Sequence, residues 1–252
     1  VAIRFQCGKL FNLKDCISLL SKATLMKSII QTPTPDLKKS LEYYQKLKFE
    51  VFNEQSPTLV SDGKAVIEIN PERTARAGVK LFANDWQREL ASLRREFSVH
   101  AIDNGFVVGD PSGVWVYLMC VSGPEIEQKA ESSSITGNLA GLSIETLDIG
   151  KSQELWQILG FEPNAGDADK GWVSLTNGEL TISLMAPLAC PHLFFNPSLT
   201  YFNGVKNPEL IAKVREAGVQ IAEEVTIFNE QGEVDNLVLQ DPGGLGIFMF
   251  ND

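Results

Sequence analysis

Two stretches far apart in the chain say the same thing twice, and this repetition limits the fold more than any other feature. Residues 35–52 (PDLKKSLEYYQKLKFEVF) and 147–162 (LDIGKSQELWQILGFE) share an opening Asp, a Lys-Ser pair, aromatics shortly after, and a Phe that starts an extended run. A second pair matches further on: GFVVGDPSGVWVY at 105–117 and NLVLQDPGGLGIF at 236–248. A chain that repeats ordered motifs at similar spacing is built from copies of one unit, and at 252 residues it has room for two domains.

Each repeated segment has a physical reading. Asp36 and Asp148 precede amphipathic runs and sit where an N-cap carboxylate accepts amide hydrogen bonds and opposes the helix dipole. Leu41, Tyr44 and Leu47, or Leu155, Ile158 and Leu159, would form the buried stripe. The Asp-Pro-x-Gly core at Asp110 and Asp241 is turn chemistry, because Pro fixes one φ and Gly permits a positive one. The apolar runs on either side should therefore pair as hairpins closing each copy.

The first copy also divides in half. A strand at 28–33, a helix at 36–47 and strands near 49–54, 57–61 and 65–70 are followed by a strand at 78–83, a helix at 86–96 and strands up to 120. The unit is βαβββ, used twice per domain, and two such units side by side curl into a cup. The fold class is α+β. The domains are assigned to 26–123 and 139–252, with a polar, Ser-rich linker at 124–138. Residues 1–25 are basic (Arg4, Lys9, Lys14 and Lys22 against Asp15) and have no counterpart ahead of the second copy, so they are expected to be an extension outside the core. The second copy is longer by about 19 residues, with much of the excess placed around Ala186 to Pro197.

Composition excludes some partners. A net charge of -10 without a cluster of Lys and Arg argues against nucleic acid, and no apolar run reaches the roughly 20 residues of a membrane span. Cys7, Cys16, Cys120 and Cys190 are scattered without a metal or disulfide pattern, which suits a cytoplasmic protein. A small organic molecule is the expected partner, for a monomer or a homodimer.

The capped Asp-Leu-x-x-Ser-x-x-Tyr-Tyr helix, the Ala65-Val66-Ile67-Glu68 strand and the closing Asp-Pro-x-Gly hairpins, in this order over 26–252, resemble the glyoxalase/bleomycin-resistance/extradiol-dioxygenase (vicinal oxygen chelate) superfamily. The resemblance implies tandem domains of that type. In metal-dependent members it also implies a divalent ion held by His or Gln on the first strand, Glu on the fourth, His or Gln on the fifth and Glu on the eighth, with open positions for vicinal substrate oxygens. Here those positions fall on Ile29, Glu68, a residue near Val79, and Tyr117, and in the second domain on Gly141, Ser183, a residue near Leu199, and Phe248. Only Glu68 could ligate a metal. The expectation is a protein with neither metal nor cofactor.

Strand alternation then assigns the cup linings. Ile29, Gln31 and Pro33 face inward with Val66, Glu68, Asn70, Trp115, Tyr117 and Met119. The second cup takes Gly141, Ser143, Glu145, Thr181, Ser183, Met185, Leu199, Tyr201, Asn203, Gly246, Phe248 and Phe250. The expected ligand-binding residues are Gln31, Glu68, Asn70, Tyr117, Ser143, Glu145, Ser183, Tyr201, Asn203 and Phe248, with the second cup preferred and its insert, carrying His192, as a lid. His100 and His192 lie on no ligand strand and are expected to play structural or solvated roles, although the insert could bring His192 to the cavity mouth. The leading reading is a metal-free binder of small organic molecules, like the drug-sequestering members. The alternative is a lyase, isomerase or dioxygenase of the same superfamily, with Glu68 or Glu145 as base or with a differently placed metal.

Overall fold

In the computed structural model, residues 26–53 and 57–251 are described. The expectation for residues 1–25 lies outside them. The first sheet contains β1 (Lys27–Pro33), β2 (Glu50–Asn53), β3 (Thr58–Ser61), β4 (Val66–Asn70), β5 (Gly78–Phe82), β6 (Val99–Ile102), β7 (Gly105–Gly109) and β8 (Trp115–Met119). Its order is β2-β3-β4-β1-β5-β8-β7-β6. The pairs β1/β4 and β5/β8 are parallel, and β1/β5 is antiparallel. This is the βαβββ unit used twice, with α1 (Leu37–Lys46) and α2 (Gln87–Glu96) as its helices.

The second sheet repeats the plan with β9 (Leu139–Glu145), β10 (Glu162–Asp167), β11 (Trp172–Thr176), β12 (Thr181–Met185), β13 (Ser198–Phe202), β14 (Ile221–Val225), β15 (Asn236–Gln240) and β16 (Gly246–Phe250). Its order is β10-β11-β12-β9-β13-β16-β15-β14, and its helices are α3 (Ile149–Ile158) and α4 (Asn207–Glu216). No helix among the described residues is long and apolar enough to cross a membrane.

The repeated motifs do the local work their chemistry suggests. Asp36 accepts the Lys39 amide at 3.1 Å and Asp148 the Lys151 amide at 2.8 Å, each satisfying an otherwise orphan donor of the first helical turn. The buried helix faces are Ser40, Tyr43 and Tyr44 in α1 and Ser152, Leu155 and Trp156 in α3, with Leu47 and Leu159 just beyond each. Leu41 and Ile158 sit at the margin of the core. The small Ser lets each helix lie close on its sheet, where Ser40 meets Thr34 at 2.7 Å and Ser152 meets Thr146 at 2.8 Å.

The Asp of each hairpin reaches into the other domain. Asp241 accepts from Tyr44 Oη at 2.8 Å and Thr32 Oγ1 at 2.9 Å, both in the first domain. Asp110 reciprocally accepts from Ser152 Oγ at 2.9 Å and Trp156 Nε1 at 3.1 Å in the second. Gly243 is needed for the close approach, since a Cβ there would lie 1.8 Å from the Pro33 carbonyl oxygen. One apolar cluster runs through both sheets, from Ile30, Tyr44 and Leu118 to Leu142, Trp156 and Met249.

The structure adds detail at two connections. The segment 124–138 is no loose tether, because Lys129 and Ser133 donate their amides to Gly63 and Asp62 carbonyls and Ile135 to that of Leu47. The extra length of the second domain lies partly at 186–197. It is shared with the β14–β15 connection at 226–235, where the first domain makes a tight turn at 103–104.

Candidate functional site: the concave face of the second sheet

The concave face of the second sheet holds a cavity of about 410 Å³. Its floor is polar at one spot, where Ser143 of β9 and Thr200 of β13 share a 2.7 Å hydrogen bond beside Ser183 of β12. The walls are apolar: Met185, Trp172, Phe202, Phe248 and Phe250. The two longer connections complete it, the 186–197 insert with Cys190, Pro191 and His192 and the 226–235 loop with Phe228. No Lys, Arg, Asp or Glu is among the described lining residues.

His192 is packed inside this wall. Its side chain is 3% exposed, its ring meets Phe228 edge-on at 5.0 Å and Phe250 at 6.1 Å, and Nδ1 lies 4.0 Å from the Glu223 carboxylate. Its Nε2 is buried with no hydrogen-bond partner among the described residues. Burial pushes the neighbouring Cys190 thiol up, and the Glu223 and Glu145 charges add to this, so Cys190 is held as a neutral thiol.

The structure separates the expected site residues. Ser143, Ser183 and Phe248 line the cavity. Tyr201 and Asn203 do not. Pairing of β9 with β13 sets Thr200 opposite Gly141, so Thr200 and Phe202 face the cup while Leu199 and Tyr201 face the helices. The inward phase of β13 is thus one residue away from the expected one, and a one-residue slip moves every side chain to the other face. Tyr201 donates instead to Asp62 of the first domain at 2.7 Å. Asn203 accepts the Asn138 amide and donates to the Thr136 carbonyl, fixing the entry to β9.

Glu145 is also outside the cavity lining. Its Oε2 accepts the Leu188 amide at 3.0 Å and its backbone carbonyl accepts Asn196 Nδ2 at 2.9 Å, so it anchors the insert. It is engaged as a structural acceptor. Sequence reasoning passed over Thr200, Trp172, Phe202 and Phe228; alternation from Gly141 across the correct register would have found the first and third of these.

The first cup is closed by its own polar groups. Glu68 Oε1 accepts from Lys80 Nζ at 2.6 Å and from Asn70 Nδ2 at 3.2 Å. Asn70 Nδ2 also donates to Gln31 Oε1 at 3.1 Å, and Gln31 Nε2 to the Arg76 carbonyl at 2.7 Å. Tyr117 donates to the same carbonyl at 3.4 Å, with Lys80 Nζ 5.7 Å from its ring centroid. Gln31, Glu68, Asn70 and Tyr117 are all buried in this network. They are brought together as expected, around an ammonium that the expectation omitted: Val79 faces the core, and Lys80 is the inward residue of β5.

Register now gives both donor sets for the divalent ion implied by the fold. In the first domain they are Ile29, Glu68, Lys80 and Tyr117, and in the second Gly141, Ser183, Thr200 and Phe248. Neither fits. An ammonium already occupies the one carboxylate, and neutral hydroxyls beside Gly and Phe offer a poor shell for a hard or borderline dication. Among the described residues no three His, Cys, Asp or Glu side chains converge.

No family model and no curated protein matches the sequence. Solved structures do match in fold. The 2,3-dioxygenase LapB from Pseudomonas sp. KL28 aligns at 13% identity over 88% of this chain and 90% of its own, with a TM-score of 0.54. A mutant of homoprotocatechuate 2,3-dioxygenase from Brevibacterium fuscum gives 13% identity, 89% and 71% coverage and 0.56. BphC, a halotolerant catechol dioxygenase, gives 10%, 87% and 84%, and 0.53. The chain has the two-domain vicinal-oxygen-chelate fold of these dioxygenases.

Proposed function

We propose that this protein binds a small, largely aromatic organic molecule in the second-domain cavity without a metal ion. The observation that carries this reading is the contrast between the two cups. The first is filled by a self-satisfied polar network, whereas the second leaves an open-mouthed cavity of about 410 Å³ lined by aromatic rings with a few hydroxyls. That volume is toward the small end for ligand pockets, matching a molecule of one or two rings. Burial of its apolar surface at roughly 25 cal/mol per Å² supplies the affinity, and the hydroxyls of Ser143, Ser183 and Thr200 orient it.

The dioxygenase activity of the structural neighbours is the second reading, favoured by the fold alone. It depends on a donor set that neither cup supplies. Glu68 as a base is likewise opposed by its tight pair with Lys80, and Glu145 by its place outside the cavity.

The test is calorimetric titration with a panel of one- and two-ring aromatic compounds, in metal-free buffer and again with added Mn²⁺ or Fe²⁺. Binding is expected without metal and should be lost in Ser183→Phe, which fills the cup. Binding only with metal, or binding that survives Ser183→Phe, overturns the reading.

A further inference from the structure

We infer that the second-domain cavity selects a non-anionic aromatic molecule bearing a hydrogen-bond donor, and that His192 Nε2 is the acceptor recognising that donor. The inference rests on the binding reading above and adds the ligand's chemistry and its recognising residue. Three observations carry it.

First, no charged side chain is among the described lining residues. An anionic ligand would leave water with no Lys or Arg to meet it and with the Glu223 and Glu145 charges beside the wall. Second, His192 is a polar side chain 3% exposed whose Nε2 has no partner among the described residues. A buried polar atom without a partner is costly in a folded protein and rare, and a ligand hydrogen bond removes the cost. Third, the carboxylate of Glu223 lies 4.0 Å from Nδ1. Its negative charge favours the tautomer with the proton on Nδ1, leaving Nε2 with its lone pair. An acceptor asks for an O–H or N–H on the ligand. The imidazole is held for this task by edge contacts with Phe228 and Phe250, both walls of the cavity. Glu223 is itself fixed, accepting the Leu193 amide at 2.7 Å, so the imidazole and its orienting carboxylate are tied to one segment.

Since Nε2 is sealed from solvent, pairing requires a small shift of the segment bearing His192 or of Phe228, a residue that is 56% exposed. Recognition then reads a single donor, not a pair of vicinal oxygens.

The experiment compares 2-naphthol, 2-methoxynaphthalene and 2-naphthoate at neutral pH by calorimetry, on the full chain and on His192→Phe. The probes share a ring system and differ in donor and charge. On the parent protein, 2-naphthol should bind about tenfold tighter than 2-methoxynaphthalene, the effect of one net hydrogen bond, and 2-naphthoate should be weakest. His192→Phe keeps an aromatic ring in the wall and removes the acceptor, so the preference of about tenfold for 2-naphthol over 2-methoxynaphthalene should disappear. A cooperative thermal unfolding transition like that of the parent protein reports that the variant is folded. Equal affinity of the two neutral probes, retention of the naphthol preference in His192→Phe, or tightest binding of 2-naphthoate would each overturn the inference and leave the binding reading standing. If none of the three binds the parent protein, the binding reading itself fails.

Discussion

At the scale of single residues, the pair Glu68–Lys80 shows how one substitution changes what a cup can do. The two side chains are 8% and 13% exposed and meet at 2.6 Å, so each charge is removed from water and depends on the other. A buried pair of this kind contributes little over a well-packed apolar pair, but losing one member strands the other. Lys80→Met is therefore expected to destabilise the protein by about 3–5 kcal/mol, and Glu68→Gln combined with Lys80→Met to recover most of that. Chemical denaturation of both variants measures it. A small effect of Lys80→Met alone would show that Glu68 is solvated or otherwise paired.

At the scale of elements, the second domain differs from the first mainly in two connections and not in its sheet. The residues 186–197 and 226–235 bring His192 and Phe228 over a concave face that the first domain closes with side chains. The insert is anchored near its ends, where Ala186 donates its amide to the Gly171 carbonyl and Asn196 bonds the backbone of Glu145 and Ser112, and its middle is tied by Glu145 to the Leu188 amide and Glu223 to the Leu193 amide. The exposed middle is the part that opens locally at low cost. Glu145→Ala should speed hydrogen exchange of the Leu188 amide by several-fold to about tenfold, as expected for one partly exposed hydrogen bond, while the amides of β12 and β13 stay unchanged. Unaltered exchange at Leu188 would mean that other contacts hold the insert.

At the scale of the whole molecule, the domains share one apolar cluster and exchange the Asp of each closing hairpin, so they should unfold as one unit. Burial raises the carboxyls of Asp110 and Asp241 above the usual carboxylate range, against the pull of their hydrogen bonds. For a group raised in the folded state, the native protein binds the proton first as pH falls. The associated stability is present below the ordinary Asp pKa and is lost as pH rises through the raised value. Asp110→Asn removes this titration and leaves Ser152 or Trp156 short of an acceptor. It should cost about 1–3 kcal/mol at pH 7.5, with a gap to the parent protein that widens toward pH 4.5, both proteins showing a single unfolding transition. A gap that narrows on acidification, or two separate transitions, would contradict this account of the interface.

What the sequence determined by itself was set by local chemistry. Helix caps at Asp36 and Asp148, turns at Asp110 and Asp241, and the alternation of β1, β4, β8, β9, β12 and β16 were legible because each depends on residues within a few positions of one another. The doubled βαβββ plan followed from their repetition. What only the tertiary structure decided was pairing across distance. The phase of β5 and β13, which exchanges Val79 for Lys80 and Tyr201 for Thr200, is fixed by hydrogen bonding to β1 and β9, and no local motif marks it. The same holds for the roles of the two hairpin carboxylates, which serve as turn residues in sequence and as interdomain acceptors in space. The cup linings depend on both register and loop reach, so the first cup's ammonium and the second cup's imidazole became visible only once strands remote in the chain lay side by side.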